Sequence, residues 1–203
     1  MLIPTAITRH LRDADPVLGQ IIDRVGRLDI TPRPGGYHMV AQSIIHQALD
    51  LRAGETIHKR LLDSAECHHL TADRLLALSD DTLIGCGLSR PKARYLRGLA
   101  EAVQSKEFSF RRLSRLPDDQ VVRDLTAIKG IGEWTAQMYL IFVLNRPDVF
   151  PMLDVGIRNA LCRAYDLPRD QFNARAPEIA ESWRPYRSIA SRYLWASWDA
   201  QAA

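Results

Sequence analysis

The segment from Leu125 to Asp154 holds the residues whose types and spacing point most clearly to chemistry. Helical apolar spacing runs into Lys129-Gly130-Ile131-Gly132 and resumes at once, so two helices meet in a hairpin too tight for side chains at its bend. Such a bend bares backbone N–H groups at the start of the following helix, where the helix dipole favours an anion, and phosphate is the obvious one. Asp154 follows a proline-bearing break and opens another helix, so a carboxylate lies one helix beyond the phosphate anchor. Each feature also has a plain reading. A G-x-G between helices is equally a structural bend, and an aspartate at a helix start most often serves as a cap. Trp134 and Trp195 share this ambiguity, because tryptophan more often fills a core than holds a ligand.

A second glycine turn, Cys86-Gly87-Leu88-Ser89-Arg90-Pro91-Lys92, leads into a basic helix with proline at its start. From Thr82 to Ala100 the chain has Arg90, Lys92, Arg94 and Arg97 and no acidic residue. Two such turns, the second using Gly87, Ser89 and Lys92, would grip one nucleic-acid strand at two phosphates, which holds register but reads no sequence. A solvated helix face is the alternative.

The elements that must position these groups are helices. Val17 to Val25 carries a one-sided apolar stripe behind an Asp15-Pro16 start signal. Similar stripes occupy Tyr37 to Leu51, Ile57 to Leu62, Thr71 to Leu78, Pro91 to Val103, Asp118 to Ile128 and Trp134 to Leu144, and further helices start near Asp154, Ala176 and Arg187. About ten helices result, and no strand alternation of useful length is present. Two proline-stiffened breaks, Thr31-Pro-Arg-Pro-Gly-Gly36 and Asn145-Arg-Pro-Asp-Val-Phe-Pro151, cut the chain into three pieces. If the outer pieces pack together, residues 37–146 form one helical lobe and residues 1–36 plus 147–203 the other. Asp154 then lies at the mouth of a groove between lobes, where pockets favour forming.

Composition narrows the class. With 203 residues, 46% of them hydrophobic, the chain can bury a sizeable core, and 11 glycines and 11 prolines give no sign of disorder. A net charge of +3 permits a polyanionic partner without requiring one. Cys67, Cys86 and Cys162 fit no disulfide framework, which suits a reducing compartment. Cys67-His68-His69 has metal-ligand residue types, but adjacent residues rarely converge on one ion and no second ligand pair follows, so zinc is not expected. The longest apolar run, Met138 to Leu144, is too short to cross a bilayer, and no signal peptide is evident, so a cytoplasmic, nucleoid-associated location is expected.

Taken together, Leu125-Thr-Ala-Ile-Lys-Gly-Ile-Gly-Glu-Trp-Thr-Ala136 and Arg146-Pro-Asp-Val-Phe-Pro-Met-Leu-Asp-Val-Gly-Ile-Arg158 resemble the helix-hairpin-helix DNA glycosylases. Trp183-Arg-Pro-Tyr-Arg-Ser-Ile-Ala190, followed by Trp195, resembles the branch called 3-methyladenine DNA glycosylase II, the AlkA and Mag type. The resemblance covers roughly residues 8 to 198 and implies a two-lobed all-α fold with the active-site groove between the lobes. The small N-terminal β domain of the enterobacterial enzyme is not expected, since helices begin within the first residues.

The implied activity is hydrolysis of the N-glycosidic bond of alkylated bases, of the 3-methyladenine and 7-methylguanine type, flipped out of duplex DNA. Asp154 corresponds to the catalytic aspartate, Trp134, Trp195 and Met138 to the base pocket, and Gly130, Ile131 and Gly132 to the phosphate-binding hairpin. A sodium or potassium ion on the carbonyls of Thr126, Ile128 and Ile131 is also implied. No catalytic cofactor is expected. A residue that fills the gap left by the flipped base would come from Gln47, Ala48 or Leu49.

Relatives with lyase activity place a nucleophilic lysine where this chain has Trp134, and no four-cysteine cluster for an iron–sulfur centre is present, so a monofunctional enzyme is expected; a monomer is expected because one flipped base needs one pocket. Leu153 and Met138 depart from the pattern, standing where an acid and a tyrosine occur in relatives. The rival reading is a non-catalytic helix-hairpin-helix module that binds DNA without removing a base.

Overall fold

The structure is a computed structural model that describes residues 1–203 except Pro34, Ala48, Asp50 and Ala203, and leaves out the side chains of Leu51 and residues 199–202. Regular structure among the described residues is all helical, with one isolated bridge between Leu2 and Asp29. The chain forms two compact units, Met1–Pro32 with Leu140–Ala203, and Arg33–Tyr139.

The first unit contains α1 (Thr5–Ala14) and α2 (Pro16–Val25). The second holds α3 (Tyr37–His46), α4 (Leu51–Ser64), α5 (Ala72–Leu76), α6 (Asp80–Gly85), α7 (Arg90–Gln104), α8 (Phe110–Leu113) and α9 (Asp118–Thr126). Helix α10 (Glu133–Phe142) crosses the boundary between units. The first unit then resumes with α11 (Val155–Ala164), α12 (Phe172–Glu181) and α13 (Arg187–Ala202). No helix of the described residues is long and apolar enough to cross a membrane.

These thirteen helices exceed the ten or so read from the sequence, for physical reasons. Helices α6 and α8 have six and four residues, too few to repeat an apolar stripe, and α1 buries only Leu11. The stripe from Tyr37 to Leu51 belongs to two elements. Helix α3 stops at His46 because Gln47 is extended, at φ −53° and ψ 130°, and the next helix starts at Leu51 rather than Ile57. Tertiary bonds set this stop: Lys92 Nζ donates to the carbonyls of Ile45 at 2.6 Å and Gln47 at 2.7 Å. A cation on the last carbonyls of a helix is favoured by the dipole.

Local side-chain capping explains several helix starts. Ser79, Ser89 and Thr71 side chains accept the N–H three residues on, from Thr82, Lys92 and Arg74. Asp15 does more than cap. Buried to 7% exposure, it accepts the N–H groups of Val17 and Leu18 through Oδ1. Its Oδ2 takes the Tyr165 hydroxyl at 2.5 Å and the indole N–H of the fully buried Trp183 at 2.8 Å. The core of the first unit, which includes Leu18, Ile22, Ile157, Leu161 and Leu194, is therefore crossed by one fully engaged carboxylate.

Asp15→Ala removes a cap and strands the buried Trp183 indole N–H and the part-buried Tyr165 hydroxyl at once. The expected loss is about 3 kcal/mol of unfolding free energy, the scale of an unsatisfied buried donor plus a cap. Urea denaturation measures it, and a midpoint matching the wild type would contradict the network's structural weight.

Candidate active site

In the second unit, the hairpin joins α9 to α10. The Ile131 N–H returns to the Ile128 carbonyl at 3.1 Å, which closes the turn. Gly130 has φ +92°, and a Cβ built there would lie 2.5 Å from the Tyr95 ring on α7. The glycine is therefore required both for its backbone conformation and for its closeness to α7. Gly132 is different: a Cβ there meets nothing within 4 Å, and the residue is exposed. Its carbonyl accepts the Ala136 N–H at 3.1 Å, so it begins the hydrogen-bond ladder of α10. Helix geometry leaves the next N–H groups without acceptors inside the helix, and open space at Gly132 lets an anion approach them.

Gln47 braces this bend, its Nε2 donating to the Gly130 carbonyl at 2.9 Å. A plug role for Gln47 would break that bond. Leu49, the other described plug candidate, is 38% exposed, and Ala48 lies outside the described residues. At the second turn Gly87 has φ +104° and Ser89 caps α7. Lys92 is turned inward on the α3 carbonyls, and burial lowers its pKa. Arg97 is held by Asp80 and the Leu78 carbonyl. Arg90 and Arg94 are the exposed cations of this helix, a facing that a sequence of four basic residues does not reveal. Trp134 and Met138 lie four apart on α10, hence on one face, with Trp134 half-buried and Met138 buried.

Four histidines, 38 and 46 on α3, 58 on α4 and 69 in the loop after it, make a series of ring contacts with centroids 5.0 to 6.4 Å apart. Burial, with a smaller effect from His38 and His46, pushes the His58 pKa down to about 4. Burial also lowers His38 and His46. Between 6.5 and 4 the unfolded chain thus binds more protons at His58 than the folded one, so its stabilising effect is full above about 6.5 and fades as pH falls toward 4. The melting temperature is expected to drop several degrees from pH 7 to pH 4.5, and less in His58→Gln. Equal slopes for the two proteins would contradict this.

In the first unit, Asp154 is the N-cap of α11: Oδ1 accepts the Ile157 N–H at 2.8 Å. The same oxygen accepts the Trp195 indole N–H at 2.9 Å. The cap and the chemical candidate are one residue. Trp195 lies on α13, where its ring stacks on Phe142 with centroids 5.3 Å apart and planes at 33°. Arg192 sits over the Phe142 ring at 4.6 Å and donates to the Ile141 carbonyl at 2.7 Å. A base stacking on Trp195 must therefore use the face away from Phe142.

The loop leading to Asp154 is also fixed. Asp148 accepts from Arg184 Nη1 at 2.6 Å and Arg187 Nε at 2.8 Å, and Ser188 Oγ accepts the Val149 N–H at 2.8 Å. Desolvation opposes the charge on Asp148, but these arginine bonds hold its pKa below the usual carboxylate value. Leu153, beside the acid, is 60% exposed. The sequence assigns no role to Phe142, Gly156 or Ser188, since none belongs to a reactive residue type in a telling pattern, whereas Arg192, read with Arg184 and Arg187 as a mix of packing and phosphate contact, packs on Phe142.

Residues 41–185 match the family described as HhH-GPD superfamily base excision DNA repair protein. The YfjP protein of Bacillus subtilis is 30% identical over 168 residues, 79% of this chain, and the chain spans 58% of that relative's length. The crystal structure of a DNA-3-methyladenine glycosidase from Bacillus halodurans is similar at a TM-score of 0.84 and 28% identity, over 100% of this chain and 94% of that one. A Schizosaccharomyces pombe 3-methyladenine DNA glycosylase in complex with abasic DNA is similar at a TM-score of 0.80 and 28% identity, over 94% of this chain and 95% of that one.

Proposed function

The chain belongs to the HhH-GPD superfamily of base excision DNA repair proteins, and on that basis we propose that it is a monofunctional DNA glycosylase releasing alkylated purines from duplex DNA. The observation that carries this reading is the Asp154 carboxylate, fixed through Oδ1 by two donors from different helices and accompanied by an indole. Binding phosphate alone needs neither group.

A base methylated at N3 or N7 is already cationic, so it leaves without a general acid once flipped from the stack. The C1′–N bond breaks with its electron pair going to the base, which neutralises the base and leaves an oxocarbenium-like sugar. Asp154 stabilises that positive charge and orients or deprotonates the water that attacks C1′, giving an abasic site. The cationic base is held on an aromatic face, which Trp195 offers beside Asp154 in the first unit; in the second unit Trp134 and Met138, four residues apart on α10, are the other base-contact candidates. The hairpin N–H groups near Gly132 take one DNA phosphate, and Arg90 and Arg94 after the Gly87 turn take another.

Sequence position supports hydrolysis over strand cleavage. Trp134 stands where relatives with lyase activity place a nucleophilic lysine, and Lys129 lies within the bend. The carbonyls of Thr126, Ile128 and Ile131 would hold the monovalent cation implied by the family, at the end of α9 where the dipole is negative. Ile128 O already accepts one N–H and keeps a second lone pair for such an ion. These carbonyls would hold the ion, and its positive charge would favour a phosphate at the hairpin. One flipped base needs one pocket, so a monomer suffices.

Incubation with methylated duplex, followed by chromatography of released bases, tests the reading. Methylpurine release with strands that break only after alkali is the expected result. Binding without release would make the chain a DNA-binding module, and strand breaks without alkali would contradict the monofunctional assignment.

A further inference from the structure

Gly156 occupies the first turn of α11, where glycine weakens a helix by about 1 kcal/mol relative to alanine. Its φ is not in the left-handed region, so conformation does not require it. Space does. A Cβ at this position would lie 3.0 Å from Asp154 Oδ1 and 3.2 and 3.3 Å from Trp195 Cδ1 and Nε1. The bare backbone at 156 therefore clears the path along which the indole N–H reaches the carboxylate.

We infer that Trp195 positions Asp154 for catalysis through its indole N–H, with Gly156 as the spacer that admits the contact, a role separate from any stacking of a base on the indole face. The inference rests on the glycosylase reading above. Geometry supports it in three ways. Oδ1 takes one donor from its own helix, Ile157, and one from α13, so the carboxylate cannot rotate without losing a bond to one of them. The indole is itself held in place by Phe142, which in turn lies under the Arg192 guanidinium. The loop before Asp154 is tied to α13 by Ser188 and Arg187, so the acid and its indole partner share one support.

With both donors on Oδ1, the orientation of Oδ2 follows from the plane of the group. Asp154 then meets the sugar in one pose rather than many, and small misplacements at a reacting centre cost large factors in rate. Trp195 is thus a positioning residue as well as a stacking surface.

The test uses the full chain, single-turnover release from a methylated duplex, and affinity for a duplex carrying an abasic-site analogue. Trp195→Phe keeps an aromatic face and removes the donor. Gly156→Ala keeps the indole and crowds the contact. Trp195→Phe is expected to slow release about 10- to 100-fold while changing affinity by less than about threefold. Gly156→Ala should shift release in the same direction by a smaller factor. Independently of activity, the ¹⁵N–¹H resonance of the Trp195 indole, assigned by its loss in Trp195→Phe, should move in Asp154→Ala without DNA.

Wild-type release rates in both variants would overturn the proposal, as would release and affinity falling together. An indole resonance unmoved by Asp154→Ala would do the same. If the wild-type protein releases no base, the glycosylase reading fails and this catalytic role with it, while the indole resonance still reports whether the contact exists.

Discussion

Asp154→Asn is expected to lower base release by at least about 100-fold while leaving the protein folded and bound to DNA. The reason lies in what the amide preserves. Its carbonyl oxygen can accept the same two N–H groups, from Ile157 and Trp195, that Oδ1 accepts in the wild type. Asparagine is as good a helix cap as aspartate, so α11 should start as before and unfolding free energy should change little. What disappears is the negative charge that, in the proposed mechanism, faces the developing cation on the sugar. Asp154→Ala provides the contrast: it removes charge and cap together, so it should also destabilise the protein by about 1 kcal/mol. Single-turnover release and thermal unfolding of both variants separate the two functions of this residue. Near-normal release by Asp154→Asn would reduce Asp154 to a cap.

Gly130→Ala should damage the fold, whereas Gly132→Ala should spare the fold and weaken DNA binding. At 130 the backbone has φ +92° and an added methyl group would collide with Tyr95 at 2.5 Å. Left-handed backbone in a non-glycine residue and overpacking against an aromatic ring each cost about 1–3 kcal/mol, so a total loss above about 2 kcal/mol is expected. At 132 the same methyl meets nothing in the protein. It would obstruct only an anion approaching the first turn of α10. The expected pattern is an unchanged melting temperature for Gly132→Ala with at least about tenfold weaker binding of duplex, a loss comparable to that of a charge-assisted contact. Equal melting temperatures for the two variants would contradict the packing of the bend. Unchanged DNA affinity in a folded Gly132→Ala would contradict the phosphate anchor.

These contrasts also show what the sequence could and could not disclose. The hairpin was legible because paired glycines interrupt two apolar stripes, a local pattern. The difference between Gly130 and Gly132 was not, since it depends on Tyr95 from another helix. Asp154 was legible as either a cap or an acid, and spacing alone cannot choose because the same position suits both; the structure shows the cap. The Trp195 N–H that distinguishes it comes from a helix further along the chain. Lys92 was read as a phosphate contact from its charge, but its direction is set by the carbonyls of Ile45 and Gln47. Gly156 and Ser188 carry no reactive group, and they matter only through where the fold puts them.

The helix count followed the same division. Most long amphipathic stretches announced themselves, whereas α6 and α8, with six and four residues, did not. The end of α3 was misplaced because the stop comes from Lys92 and Gln47 rather than from any helix-breaking residue within the stripe. Local propensity and tertiary bonding disagree there, and tertiary bonding wins.

The proposed activity is cleavage of the glycosidic bond of an alkylated purine by means of Asp154. Its most direct measurement is chromatography of the bases released from methylated duplex DNA, with wild type and Asp154→Asn in parallel and each strand assayed before and after alkali. Free methylpurine is expected from the wild type only, with strands intact until alkali cleaves them at abasic sites. No methylpurine from folded, DNA-binding wild-type protein, or equal release by Asp154→Asn, would contradict it.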